Sequence, residues 1–203
     1  MVSLRGLWLA CLVTIGLVGC TDKWGFSTDP SHRLAFSSDT IAFETLFTDV
    51  SSATQAFLIY NPNKENLSIA HAYVAGGEDS PFRVNIDGLA GATYTDLAIR
   101  GGDSMYVFVE VTIDPRGQDE PFEVHDSLCF TLESGVTQQV IFSASGQDAT
   151  VLRGMVIDAD TWLTAQRPYL IYDSLRVEEG SVLYLAPGTR LYFADKRCKS
   201  MAV

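Results

Sequence analysis

Residues 105–113, MYVFVEVTI, sort by a period of two into a purely apolar odd set and a mixed even set. Met105, Val107, Val109, Val111 and Ile113 fall on one side, and Tyr106, Phe108, Glu110 and Thr112 on the other. A period of two places successive side chains on opposite faces of an extended chain. The segment therefore predicts a strand with its odd face in a core. The same reading predicts strands at Gln55–Tyr60, Leu67–Val74, Phe82–Ile86, Asp96–Arg100, Val124–Leu132 and Thr137–Ala144. Between the first two lies Asn61-Pro62-Asn63-Lys64-Glu65-Asn66, a run of turn formers. No stretch from 34 to 147 sustains a helical period. Short strands with turns about every 8–12 residues predict an all-β sandwich over residues 34–147.

Three stretches of this region are "FLIYNPNKENLSIAHAYVAGGEDSPFRV", "LAIRGGDSMYVFVEVTIDP" and "VTQQVIFSASGQD". In this order they resemble immunoglobulin-like domains of the abnormal-spindle/hydin type. There a strand ending in Asn and a loop precede an L-x-I strand, and the last strand closes on Gly. Asn61, Leu67-Ser68-Ile69 and Gly146 stand at those places here. The resemblance implies a binding or spacer module rather than an enzyme.

Residues 148–160 read as a connection. The texture then changes to "RPYLIYDSLRVEEGSVLYLAPGTRLYF". Val177, Gly180, Leu183, Leu185, Pro187, Gly188, Thr189, Leu191 and Phe193 follow a V-x-x-G-x-x-L-x-L-x-P-G-T-x-L-x-F pattern. This resembles the opening rungs of right-handed parallel β-helix proteins. Pro187-Gly188 predicts a tight corner. Leu183/Leu185 and Leu191/Phe193 are then expected to point inward on successive strands. A solenoid turn cannot bury its own inner face, and about three or more must stack. Residues 161–203 have room for one to one and a half turns. After Phe193 the composition breaks to ADKRCKSMAV, with three basic residues among four on an acidic chain. The expectation is a short, incomplete β-helix or β-hairpin segment, truncated, with open strand edges.

The N-terminus has its own pattern. Arg5 is the sole charge before Asp22, and Leu7–Val18 is almost wholly apolar. Such a run spans roughly 18 Å as a helix, short of the roughly 30 Å bilayer core, and has the size of a signal-peptide apolar region. It ends in Leu17-Val18-Gly19-Cys20, which resembles the lipobox of bacterial lipoproteins. The resemblance implies a signal-peptide helix at 1–19, cleavage before Cys20 and acylation of its thiol and new amine. Several chains anchor stably where one does not. Thr21, rather than Asp, after the cysteine resembles outer-membrane sorting. Residues 20–33, TDKWGFSTDPSHR after the cysteine, read as a polar lipidated tether.

Charge narrows the partners. The chain carries 14 basic and 25 acidic residues. Loss of residues 1–19 removes one basic residue, Arg5, and moves the net charge from −11 to −12. That excludes non-specific nucleic-acid binding, which needs clustered Lys and Arg. The expected partners are the membrane, through acyl chains on Cys20, and a glycan or another envelope protein. Cys129 and Cys198 remain once Cys11 leaves with the signal and Cys20 is acylated; the sequence leaves open whether they pair.

No catalytic set, cofactor site or metal site is expected. G-x-S-x-G, H-E-x-x-H and a phosphate loop are missing. His32, His71 and His125 stand alone. The loop "DPRGQDE", with Asp114, Asp119 and Glu120, offers calcium-type oxygens but reads better as an ordinary hydrophilic loop. Asp39-Thr40-Ile41, Asp103-Ser104-Met105, Asp126-Ser127-Leu128 and Asp173-Ser174-Leu175 repeat one pattern. It resembles an O-glycosylation sequon of some bacterial envelopes, which makes Thr40, Ser104, Ser127 and Ser174 candidate sites. Asp-Ser at a strand entrance is also ordinary turn chemistry. The leading expectation is a lipid-anchored, non-catalytic envelope protein of the outer membrane. The alternatives are the front of a β-helix polysaccharide lyase or hydrolase without its catalytic rungs, and an assembly subunit that offers its open edge to a partner strand.

Overall fold

The computed structural model describes residues 25–194, and in it the alternating segment is a strand, Ser104–Val111. Met105, Val107, Val109 and Val111 are buried, and the residues between them are exposed. In chain order the strands before it are β1 (Ala35–Phe36), β2 (Thr40–Phe47), β3 (Gln55–Tyr60) and β4 (Leu67–Val74). β5 (Phe82–Ile86), β6 (Leu89–Gly91) and β7 (Thr93–Ile99) follow, and the alternating strand is β8. After it come β9 (Phe122–Leu132) and β10 (Thr137–Gln147). The C-terminal set is β11 (Thr150–Ile157), β12 (Thr161–Leu163), β13 (Tyr169–Val177), β14 (Leu183–Leu185) and β15 (Leu191–Ala194). Among the described residues there is no α-helix. The expected signal-peptide helix, Cys20 and residues 195–203 lie outside them.

The first ten strands form two five-stranded sheets, β1-β3-β8-β5-β6 and β2-β10-β9-β4-β7. Every pairing in them is antiparallel except β2 with β10. The opening segment divides between the sheets: β1 pairs with β3 in one, and β2 runs beside β10 in the other. This is an immunoglobulin-like sandwich. Phe57, Ile59, Val84, Ile86, Val107 and Val109 of the first sheet join Ile69, Ala72, Leu128, Phe130, Val140 and Phe142 of the second in one buried cluster. Each large side chain so buried contributes about 1.5–3 kcal/mol.

Three of these strands were not expected: β1, only two residues long, β2 and β6. β6 is short and wholly exposed, so it has no apolar signature. Its signal is Asp87-Gly88, where φ is 49° and 88°, the hairpin turn that a D-G pair favours. β2 is an edge strand whose second half is only partly covered, which blurs its alternation.

The stretch read as a tether is pinned from Phe26 onward. Phe26 bridges to Asn66, and the Ser27 amide donates to the Asn66 carbonyl at 2.9 Å. The Asn63 side-chain amide donates to the Arg33 carbonyl at 3.0 Å. Gln138 grips Leu34 from both sides, accepting from its N–H and donating to its C=O, each at 2.9 Å.

Beyond the sandwich the pairing becomes parallel. β11-β13-β15 form one small sheet and β12-β14 another. The chain visits the two sheets alternately, so it winds. Tyr169 pairs with Leu191 and Thr161 with Leu183, in each case 22 residues apart. β11 occupies residues read from sequence as a connection. Its ladder is broken by a bulge in β13: between Arg153↔Tyr172 and Met155↔Leu175, Gly154 faces both Asp173 and Ser174, and Gly154 and Asp173 have positive φ. With β11 counted, residues 150–194 make two windings and begin a third; the expectation of one to one and a half concerned residues 161–203 alone. The Pro187-Gly188 corner forms as predicted, with Gly188 at φ 85° and the Thr189 amide donating to the Ala186 carbonyl at 3.0 Å. The inward positions differ: Leu183 and Leu191 are half-buried, but Leu185 and Phe193 stand exposed. Tyr192, between Leu191 and Phe193, packs edge-on against Phe47 of the sandwich with ring centroids 4.9 Å apart.

Candidate functional site

The solvent face of the β8 sheet carries an aromatic patch. β8 lies in the middle of that sheet, between β3 and β5. Its even positions point outward because its odd positions fill the core. Tyr106 is 55 % exposed and Phe108 41 %, and their rings are nearly parallel, 15° apart in plane with centroids 5.9 Å apart. Leu58 lies opposite Tyr106, and Ala56 and Asn85 lie opposite Phe108. Tyr60, also exposed, sits opposite Ser104. Polar groups border the patch. Arg83 pairs in register with Glu110, whose carboxylate accepts from the Thr54 hydroxyl. Asn85 accepts from the Gly88 amide at 2.8 Å. Aromatic area with a few placed polar groups is the usual composition of a recognition surface. The sequence shows Tyr106 and Phe108 on the outer face. It does not show the neighbours that turn them into a patch.

The acidic loop is organised in the opposite sense to a cation site. The buried Asp148 carboxylate accepts from the backbone amides of Gln118 at 2.9 Å and Arg116 at 3.3 Å. Burial pushes this carboxyl up, but those amides, together with the Thr48 hydroxyl and the Gly117 amide, outweigh it and hold it below the usual aspartate range. Gln147 donates to the Asp119 carbonyl at 3.0 Å, and Arg167 binds the Asp119 carboxylate and the Gly117 carbonyl. The loop thus clamps the sandwich to the first winding. A depressed carboxyl contributes stability above its unfolded value near pH 4, and loses it as pH falls through the lower folded value. Asp148→Asn is therefore expected to lower stability by about 1–2 kcal/mol at pH 7. In urea titrations the gap to the native chain should close below about pH 4.

A polar cleft of about 370 Å³ opens beside this clamp, lined by Asp119, Thr150, Thr164, Gln166, Arg167 and Tyr169. Its one opposite-charge pair is already closed on itself. Among the described residues no group of three or more His, Cys, Asp or Glu is placed to hold a metal ion.

The candidate modification sites are scattered. Thr40 and Ser104 open β2 and β8 and are exposed, and Ser174 is exposed within β13. Ser127 is half-buried inside β9, with its hydroxyl 3.6 Å from the Cys129 sulfur. Asp126 beside it is engaged by the Gly76 amide, the Ser80 hydroxyl and the Ser127 amide. Cys129 is a free, half-buried thiol, and Cys198 lies outside the described residues. His32 bonds the Ser27 hydroxyl at 2.8 Å and approaches Glu65 at 3.7 Å, while His71 stacks on Tyr73.

No protein-family model matches the chain, and no curated protein matches it. Solved structures that resemble it include the ASH/PapD-like domain of human CEP192. That match has 12 % identity and a TM-score of 0.37, and covers 61 % of this chain and 89 % of that one. A protein of unknown function from Porphyromonas gingivalis W83 is 14 % identical, with a TM-score of 0.40, over 64 % of this chain and 57 % of its own. The periplasmic chaperone SfaE is 7 % identical, with a TM-score of 0.34, over 56 % of this chain and 57 % of its own. These likenesses concern the sandwich fold and transfer no residue role.

Proposed function

We propose that the chain is a lipid-anchored protein of a bacterial outer membrane whose sandwich is a non-catalytic module that binds a glycan. The observation that carries the binding is the exposed pair Tyr106 and Phe108 at the centre of the β8 sheet, bordered by Arg83, Asn85 and Glu110. Rings present apolar area to the C–H faces of a sugar, and the border supplies donors and acceptors for its hydroxyls. The apolar run and Leu17-Val18-Gly19-Cys20 support the anchor. Residues 150–194 are read as the opening windings of a right-handed parallel β-helix, supported by the parallel ladders, the 22-residue spacing and the Pro187-Gly188 corner. Thr40, Ser104, Ser127 and Ser174 are proposed O-glycosylation positions, with Ser127 half-buried within β9. The same ladders favour a second reading, the front of a β-helix polysaccharide lyase or hydrolase, with its acids and bases on further windings.

The test is a glycan array probed with the full chain. The double variant Tyr106→Ala/Phe108→Ala should bind at least about ten-fold more weakly at unchanged melting temperature. Equal binding by the variant would remove the aromatic face from the reading. Stoichiometric co-purification with another envelope protein, without any glycan bound, would replace the glycan by a protein partner. For the anchor, Cys20→Ala should abolish fatty-acid labelling and move the protein to the soluble fraction; unchanged labelling would sink it.

A further inference from the structure

The outer side of the β12–β14 sheet carries a second aromatic group. Trp162 of β12 pairs in register with Tyr184 of β14, and their rings lie face to face, 4.2 Å apart at the centroids and 11° apart in plane. Leu163 beside it is buried, so Trp162 stands outward, and it is 69 % exposed. Tyr184 covers one face of the indole. β12 pairs only with β14, so the other face looks along the free edge of β12, on the side of the sandwich. The polar cleft opens on that side. Thr164, which lines it, is exposed two residues after Trp162, about 7 Å along the chain, and shares its outward side. In the cleft Arg167 is closed on the Asp119 carboxylate and the Gly117 carbonyl, which leaves no spare charge. The Tyr169 hydroxyl accepts from the Thr164 amide at 3.1 Å. Among the described residues, the side chains of Thr150, Thr164 and Gln166 bond no protein group.

We propose that Trp162 and this cleft together form a binding site for an uncharged saccharide chain. One sugar lies with its C–H face on the open face of Trp162, which Tyr184 backs. The next reaches the hydroxyls of Thr150 and Thr164 and the Gln166 amide. Charge and size select this ligand. A cleft whose one ion pair is closed gives a carboxylate or an ammonium group nothing to pair with. The net charge of −11 further opposes an acidic polymer. The open apolar area of the two rings and Val182 is on the order of 300 Å², well below the roughly 800 Å² per partner that a stable protein complex buries. A sugar needs only one ring face and a few hydroxyl partners. The site lies on the windings, apart from the Tyr106–Phe108 face, and does not depend on it.

The experiment measures depletion of the full chain from solution by beads coupled to β-glucan, xylan or mannan as uncharged probes, or to polygalacturonate as the charged one. The native chain and the Tyr106→Ala/Phe108→Ala chain are compared, so that the sandwich face is accounted for separately. At least one uncharged probe should hold both chains. Adding Trp162→Ala to the double variant should weaken that binding about ten-fold or more, and adding Gln166→Ala about three-fold or more. Both side chains are exposed, so the melting temperature should stay unchanged. Equal binding with and without Trp162, or no binding to any uncharged probe, would overturn the site. Binding by the native chain that the double variant loses entirely would overturn it and leave the sandwich face as the binding surface. Binding to polygalacturonate alone would overturn the uncharged ligand. A native chain that weighs as a dimer, beside a Trp162→Ala chain that weighs as a monomer, would overturn the site in favour of a contact between two copies.

Discussion

Replacing Asn61 by alanine is expected to destabilise the sandwich by about 3 kcal/mol, an effect far larger than a loop position normally carries. Asn61 is buried, and its amide uses its full capacity. Its nitrogen donates to the Glu65 carbonyl at 2.8 Å and the Ile99 carbonyl at 3.0 Å. Its oxygen accepts from the Asn63 amide at 3.0 Å and the Asn63 side chain at 2.9 Å. Alanine removes all four bonds, of which the one to the Ile99 carbonyl is fully buried. The surroundings cannot relax to compensate, because Gly101 already lies so close to Lys64 that a Cβ on it would sit 2.0 Å from the Lys64 carbonyl oxygen. Urea denaturation at neutral pH measures the loss. A change below about 1 kcal/mol would mean that the two loops hold together without Asn61.

Phe142→Ala is expected to cost about 4 kcal/mol. Phe142 of β10 is fully buried, and its ring lies 5.3 Å from that of Phe82 on the opposite sheet. Phe43 of β2, in the same sheet as Phe142, also meets Phe82, at 6.1 Å. This row of rings is where β2, β5 and β10 meet between the sheets. Truncation removes one of the two ring contacts to Phe82 between the layers and leaves a cavity that rigid strands close poorly. Phe142→Leu, which keeps most of the volume, should lose less than half as much, and parallel thermal melts of the two variants would show the difference. Equal losses would indicate that the aromatic stacking, rather than the filled space, holds the layers together.

What the sequence reveals of this fold depends on how local the cause is. β8 is legible because one strand writes its own alternation. β3, β4 and β5 match their expected bounds for the same reason. β11 is hidden because its faces are set by its partner: Gly154 stands opposite an extra residue, Asp173-Ser174, in β13. The loop at 114–120 shows its acidic residues but not the carboxylate that closes it, since Asp148 lies some 30 residues further on. The aromatic patch is half legible. Tyr106 and Phe108 are visibly on the outer face, while Leu58, Arg83 and Asn85 reach them only through strand order. The exposure of Leu185 and Phe193 could not be read at all, because their spacing matches that of covered residues.

The pinning of Phe26 to Asn66 gives the molecule a direction. Five residues lie between Cys20 and Phe26, so six peptide steps give a reach of at most about 20 Å. Under the proposed anchoring, the 61–66 loop therefore rides close above the lipid headgroups. Gln138, which grips Leu34, is near the start of β10, and Asp148 follows its end. The 11 residues of β10 rise about 35 Å between them. Under that proposed anchoring, the sandwich is a short mast between the lipid and the windings.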